Sequence, residues 1–290
     1  MTRPVSPPGQ TGLCPVCETV QTLWIAEVFG AGRFLACPTC GVHFAETDEH
    51  DLPEYYAQIW GQGNLGIKPY EAKVAAASDP ARLAKLIDEI PRYRWAANRL
   101  RRLSPGSKVL DVGCGEGGLL WFAQEAGLEP YGCDLAPNAV ALVRQLIGSD
   151  RAYLGTIEDL PLEPGSFDAI LALEVIEHLP SPQPFLRRAA SLLKPSGFLL
   201  VTTPNMYRFF AVGKRALRRP HSNTDYPPHH YTRWSASALG RLVASHVGQV
   251  QVGSLPYHFE GALAQAAAGV LHLLTGRRMG QSLWLIGQKQ

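Results

Sequence analysis

A chain of 290 residues with 46% hydrophobic composition can bury a full α/β domain and still carry a smaller module. A formal net charge of +2 is too slight for a surface built to hold nucleic acid. There is no apolar stretch behind Met1 to direct export and no run of about eighteen apolar residues to cross a bilayer, so a cytoplasmic protein with reduced cysteines is expected.

Residues 1–12, with Pro4, Pro7, Pro8 and Gly9, read as a flexible tail on which no fold should be forced. Residues 13–45 begin and end in cysteine pairs: Cys14-Pro-Val-Cys17, nineteen intervening residues, then Cys37-Pro-Thr-Cys40-Gly. Two such knuckles at this spacing predict a zinc ribbon, each pair giving two thiolates to one tetrahedral ion while the stretch between forms a short hairpin. Two disulfides are the competing reading, but nothing points to export, and some thirty residues cannot fold on an apolar core of their own. His43 lies three residues beyond Cys40 and is a second candidate for the fourth ligand, although Cys40-Gly41 supplies the usual knuckle turn. Between the knuckles stand Trp24, Ile25, Phe29 and Phe34 with Arg33 as the single cation. That lacks the basic interleaving of a nucleic-acid reader, so bracing or contact with a lid is expected. Cys114 and Cys133 read as small buried residues rather than ligands.

Residues 46–79 turn acidic and then aromatic, with Tyr55, Tyr56, Trp60 and Tyr70 among Gly61, Gly63 and Gly66. The glycines argue against a long regular element and for a connector or lid. Its aromatics either staple the ribbon to the main domain or close over a cationic ligand by cation–π contact. From Pro80 to Leu103 the pattern becomes helical, with Leu83, Leu86, Ile87 and Ile90 on one stripe and an arginine-rich solvated face.

Residues 108–118, Lys-Val-Leu-Asp-Val-Gly-Cys-Gly-Glu-Gly-Gly, form an apolar run that breaks into glycines and resumes as Leu-Leu-Trp-Phe-Ala. That is a buried strand, a tight turn and a helix start. Gly113, Gly115 and Gly117 let the backbone lie flat against a ligand where helix N–H groups converge. The same letters satisfy the dinucleotide pattern, but Asp111 puts a carboxylate in the turn, where it would repel a pyrophosphate and welcome an ammonium group. Asp134, with Leu135 beside it, ends the next apolar run and suits a ribose diol.

At these residues the chain resembles class I S-adenosylmethionine-dependent methyltransferases, whose first motif reads as Val109 to Gly117 does. The resemblance covers about residues 90–255 and includes Thr156 to Leu162, similar to the adenine-binding loop, Phe167 to Ile170 with Leu173 to Leu179, and Leu193 to Phe198. It implies that S-adenosylmethionine is held by Asp111, Gly113, Gly115, Gly117, Asp134, Leu135, Ile157, Glu158 and Glu174. Thr156 stands where relatives often have an acid, which leaves the adenine amino group to Glu158 or to backbone carbonyls. Ser196 stands where glycine is frequent. The alternation of strands and helices through residues 80–290 gives the expected fold class: a doubly wound, mostly parallel seven-stranded α/β sheet, with the small ribbon at its N-terminal side. The last strand, from Ser282, is expected to run antiparallel beside the sixth.

Glu174, Glu177 and His178 form an ExxEH cluster that on a helix would share one face. Some relatives hold Mg²⁺ with it, and many carry the letters without a metal. Residues 205–234 are an insertion that the resemblance implies caps the acceptor site, with Lys214, Arg215, Arg218 and Arg219 on one flank and Pro227-Pro228-His229-His230 following. His229 and His230 are the leading candidate bases, with His178 the alternative. A second insertion, 256–280, contains the apolar Ala262 to Leu274, about four turns long, suited to a lid, a dimer contact or a membrane surface. Methylation of a hydroxyl on a small molecule, sugar or glycan precursor is the function implied. An RNA base methyltransferase guided by the zinc module is the alternative.

Overall fold

The structure is a computed structural model that describes residues 10–29, 32–46, 52–62, 79–207, 227–255 and 282–290. The proline-rich start, Tyr70, the cationic flank of the first insertion and the apolar segment 262–274 lie outside these residues.

Two sheets organise what is described. The larger contains β5 (Lys108–Val112), β6 (Glu129–Asp134), β7 (Ala152–Leu154), β8 (Phe167–Leu173), β9 (Leu193–Pro204), β11 (Gly248–Leu255) and β12 (Ser282–Lys289). Their order is β11-β12-β9-β8-β5-β6-β7. β5 to β9 are parallel, and β12 slots antiparallel between β9 and β11. The expected seventh strand therefore pairs with the sixth and also with the fifth. Strand order reverses between β5 and β8, and their C-terminal ends open the crevice in which such sheets hold ligands.

Helices cover both faces, which is why β5 and β8 read as continuous apolar runs rather than alternating ones. On one face lie α2 (Pro80–Glu89), α3 (Pro91–Leu100) and α4 (Gly118–Glu125), which bury Ile87, Ala97, Leu100, Leu119 and Phe122. Pro91 divides the predicted helical stretch in two, because it leaves Ile90 extended. On the other lie α6 (Gln183–Leu192) and α7 (Ala236–Val247), packed through Leu186, Leu192, Leu239 and Val243. α5 (Pro137–Ile147) packs against β6 and β7. The turn before the fifth strand is drawn into β9, with Ser196 at φ 64, the left-handed conformation that explains the frequent glycine there.

The smaller sheet has the order β1 (Gln10–Leu13), β2 (Val20–Phe29), β3 (Gly32–Ala36), β4 (His43–Glu46) and β10 (Thr232–Arg233). Two expectations are corrected here. The tail does not extend to residue 12, because Gln10–Leu13 finds backbone partners along Val20–Leu23. The ribbon is also more than a hairpin: its last strand is completed by two residues from the far end of the chain, Thr232 opposite Phe44 and Arg233 opposite His43. The core follows the same seam. Val16, Leu23, Leu35, Val42 and Phe44 of the ribbon belong to one buried cluster with Phe185, Trp234 and Leu239 of the larger unit.

The connector contains α1 (Leu52–Gln62), eleven residues long despite its glycines. Pro53 and Glu54 in the first turn suit a helix start, and the described glycine falls only in the last turn. Its Tyr56 packs on Ala136, Ala139 and Leu142 of the α5 region.

Candidate cofactor and acceptor site

Beyond β5 the chain turns through Gly113, Gly115 and Gly117 at φ 68, 52 and 77. The amides of Gly113 and Cys114 both donate to the Cys133 carbonyl, at 2.8 and 3.1 Å, locking the turn to the end of β6. A Cβ on Gly113 would come within 2.8 Å of the Val175 side chain, so the turn packs this closely against Val175 only because that atom is missing. Asp134 completes the hollow: its carboxylate accepts from the Gly115 amide at 3.0 Å and from the Ala136 amide at 2.9 Å. Two oxygens with about four lone-pair directions can serve these amides and still receive hydroxyls.

These groups open on a cavity of about 440 Å³. Its wall gathers Gly113, Gly115, Asp134, Leu135, Ile157, Glu158, Glu174 and His178, eight of the residues singled out in the sequence, from four separate loops. The two other expected cofactor residues stand off the wall. Gly117 caps α4, where a Cβ would meet Leu146 at 2.9 Å. Asp111 is buried behind the turn, 5% exposed, and burial together with the nearby Asp134 pushes its carboxyl up to about 8.

The loop from Thr156 is held from both sides. The Thr156 hydroxyl donates to Asp159 at 2.8 Å, and the Arg188 guanidinium of α6 donates to the carbonyls of Ile157, Leu160 and Leu162 at 3.3, 2.8 and 2.8 Å. Ile157 is thereby buried with its backbone fixed against the cavity.

The ExxEH cluster does not form a helical face. Glu174 sits at φ 58 because its amide is drawn to the Thr202 carbonyl at 2.9 Å, at the end of β8, and only Ile176–His178 make a short 3-10 turn. Glu177 Oε1 lies 3.9 Å from His178 Nε2, but among the described residues Glu174, Glu177 and His178 do not bring one ligand atom each within 4.8 Å of the others. Glu174 instead lines the cavity, with a buried Oε1 that has no hydrogen-bond partner among the described residues. Glu177 is buried, and desolvation with the neighbouring Glu174 raises its carboxyl well above the ordinary range.

His178 meets His229 and His230 instead. The three ring centres are 4.7 to 4.9 Å apart, and one nitrogen from each lies within 4.8 Å of the others. Burial first, then His229, lowers His178 to about 3, so its ring is neutral. The segment bearing the pair is tied down by the Tyr231 amide to the Glu177 carbonyl at 2.8 Å and by the Thr232 hydroxyl to the Ile176 carbonyl at 3.1 Å.

In the ribbon the two knuckles repeat one geometry. The amides of Glu18 and Gly41 donate to the Cys14 and Cys37 carbonyls, each at 2.9 Å, and both residues have positive φ, 52 and 73. The four sulfurs lie within 4.8 Å of one another, with Cys14 to Cys40 and Cys17 to Cys37 both at 3.7 Å. That is far beyond a disulfide bond and close to the separation of about 3.8 Å that tetrahedral thiolates at about 2.3 Å from zinc require. Gln21 donates to Cys37 at 2.9 Å, a contact that favours thiolate, and hydrogen bonding from Cys40 brings Cys14 down to about 5. Cys40 rather than His43 completes the set, since His43 lies in β4 opposite Ala36.

Residues 110–201 match the family profile of a methyltransferase domain. Ubiquinone biosynthesis O-methyltransferases of Xanthomonas are also similar: that of X. campestris pv. campestris strain B100 is 43% identical over 106 residues, 35% of this chain and 44% of the relative. That of X. euvesicatoria is 42% identical over 119 residues, 39% and 49% of the two chains. The chain thus spans about half the length of the curated relatives it matches. A S-adenosylmethionine-dependent methyltransferase from Archaeoglobus fulgidus shares the fold at 18% identity, TM-score 0.50, over 73% of this chain and all of that one. So does a chain of the complex between the Haloferax volcanii Trm112 methyltransferase activator and a methyltransferase, at 20% identity, TM-score 0.51, over 74% and 96%. This chain carries a class I S-adenosylmethionine-dependent methyltransferase domain.

The methyltransferase domain fits its cofactor on its own geometry. The hollow at Gly113, the fixed carboxylate of Asp134 and the buried Ile157 suit a nucleoside, and the orphaned Glu174 oxygen offers an acceptor to a cationic or hydroxyl group. Leu52, Tyr56 and Phe185 also line the cavity. Tyr56 bore a signal, as one of the connector aromatics; Phe185 had none, since it falls within the apolar stripe of α6.

Proposed function

We propose that the protein transfers a methyl group from S-adenosylmethionine to a hydroxyl oxygen of a small molecule, sugar or glycan precursor, with one structural zinc held by Cys14, Cys17, Cys37 and Cys40. The observation that carries this reading is the cavity itself: cofactor-type groups line its wall, and three histidines meet at His178 on its edge.

When bound, the cofactor supplies an electrophilic methyl group on a positively charged sulfur. Asp134 would receive the ribose hydroxyls, Ile157 and Glu158 would face the base, and Asp111 behind the turn, protonated without ligand, would ionise as the cofactor's ammonium group approaches. Methyl transfer needs alignment of the two partners more than elaborate chemistry, and the rigid walls set by Arg188 and the glycine turn provide it. A hydroxyl acceptor must also lose a proton. His178, neutral and held near 3, is a weak base at neutral pH. That leaves the proton to His229 and His230, whose carrier segment is fixed against the 3-10 turn.

Incubation with labelled S-adenosylmethionine and a panel of phenols, sugars and glycan precursors tests the proposal. Label recovered in an ether linkage supports it. Label on nitrogen, or on RNA in a salt-dependent manner, would replace it with another acceptor class.

A further inference from the structure

We propose that zinc at the ribbon's cysteine site and S-adenosylmethionine in the cavity bind cooperatively, because the first knuckle is fastened to the helix that forms part of the cavity wall. Cooperation of this kind presupposes the zinc and methyltransferase readings above and gives the ribbon a regulatory part in them.

The link begins at the sulfurs. The amides of Val16 and Cys17 are turned in toward the Cys14 sulfur. A trans peptide points its N–H and its C=O in opposite directions, so the carbonyls of the same two peptides, those of Pro15 and Val16, face outward. Both are taken by the larger unit: the Ser181 hydroxyl donates to the Pro15 carbonyl at 3.2 Å, and the buried side-chain amide of Gln183 donates to the Val16 carbonyl. At the second knuckle the Cys40 amide turns in to the Cys37 sulfur at 3.3 Å, while Arg241 of α7 donates to the Cys40 carbonyl at 2.8 Å. Thiolates held on one ion fix these peptide planes. Released thiols let the planes turn, and the buried Gln183 amide is then left without its acceptor.

The link ends at the cofactor. Gln183 opens α6, on which Phe185 is buried and lines the cavity, and on which the Arg188 guanidinium holds the carbonyls of Ile157, Leu160 and Leu162. Just ahead of α6, His178 and Leu179 line the same cavity. A helix shifts as a unit, so the seating of its first residue is passed to Phe185 and Arg188 together. The element with two states is the ribbon, ordered around its ion or loosened without it, and the cofactor favours the state in which α6 is seated. Each ligand then raises the other's affinity by the same factor. Across the cavity the turn at Gly113 and the Asp134 carboxylate are fixed by Cys133 and by backbone amides that owe nothing to the ribbon. Loss of zinc therefore weakens cofactor binding without abolishing it.

Full-length protein is prepared with zinc and, by chelation under reducing conditions, without it, and S-adenosylhomocysteine binding to each form is measured by calorimetry. Removing zinc is expected to weaken binding roughly tenfold, and S-adenosylhomocysteine should raise zinc affinity against a competing chelator by the same factor. Gln183→Leu and Ser181→Ala cut the link in its middle. Both should keep the ribbon zinc and bring the two S-adenosylhomocysteine affinities to within about twofold of each other. Equal affinities in the wild type overturn the proposal, as does undiminished coupling in both variants. So does a wild type whose larger sheet loses hydrogen-exchange protection along with its zinc, since the ion would then support folding as a whole. Zinc-loaded protein that binds no S-adenosylhomocysteine fails the methyltransferase reading itself, a result distinct from equal binding with and without the ion.

Discussion

Arg233 donates to Glu27 at 2.6 Å across the seam between the ribbon and the larger unit, with only 13% and 15% of the two side chains exposed, while its guanidinium lies 3.8 Å above the Phe34 ring. A charge pair this sheltered is costly to halve, because the remaining partner stays buried and uncompensated. Arg233→Ala should lower unfolding stability by about 2 to 4 kcal/mol in urea titration. A double-mutant cycle with Glu27→Gln should show that the losses are not additive. Additive effects within error would mean that the pair contributes little.

Asp134→Ala removes the acceptor for two backbone amides and the proposed receiver of the ribose. Calorimetry should show S-adenosylmethionine binding weakened by about 1.5 to 3 kcal/mol, with no gain in NAD affinity. Unchanged cofactor affinity would place the ribose elsewhere.

Asp111 makes the cofactor-free protein sensitive to pH. Its carboxyl stands at about 8 when folded against 3.8 in the unfolded chain, so between these values the folded state holds the extra proton. Stability from this group is complete below about 3.8 and is lost as pH rises toward 8. Thermal melts of the wild type should fall from pH 5 to pH 8 more steeply than those of Asp111→Asn. Parallel curves would show that the carboxyl does not titrate there.

Purified protein should contain zinc bound by Cys14, Cys17, Cys37 and Cys40, and Cys14→Ser should lose it. Because ribbon side chains share a buried cluster with Trp234 and Leu239, the damage should spread beyond the ribbon and also blunt protection of residues 231–234 in hydrogen exchange. Loss confined to residues 10–46 would show that the shared cluster transmits nothing.

The parts of the site legible in the sequence are those written in short-range spacing. The glycine turn, the acid ending β6 and the paired CxxC knuckles each fix their geometry within a few residues. Glu174 was misread because its left-handed backbone is imposed from outside, by the Thr202 carbonyl of the adjacent strand. The helix at Leu52–Gln62 was obscured because its single glycine, Gly61, falls in the last turn, and the position of Tyr56 on the cavity wall depends on packing against Ala139 and Leu142. Nothing local marked Thr232 and Arg233 as a strand. Two residues carry no periodicity, and their partners lie in the first fifty residues.

That pairing constrains the order in which the molecule can be completed. β4 leaves the ribosome early, yet the Ala45 amide finds its acceptor, the Tyr231 carbonyl at 2.8 Å, only after five of the seven strands of the larger sheet have been synthesised. Until then the ribbon presents an open edge and an uncovered apolar face, Phe44 among its residues. The small sheet is thus begun early and closed only once residues 231–233 are made, and a nascent chain released before Tyr231 should leave β4 open to protease where the full chain protects it.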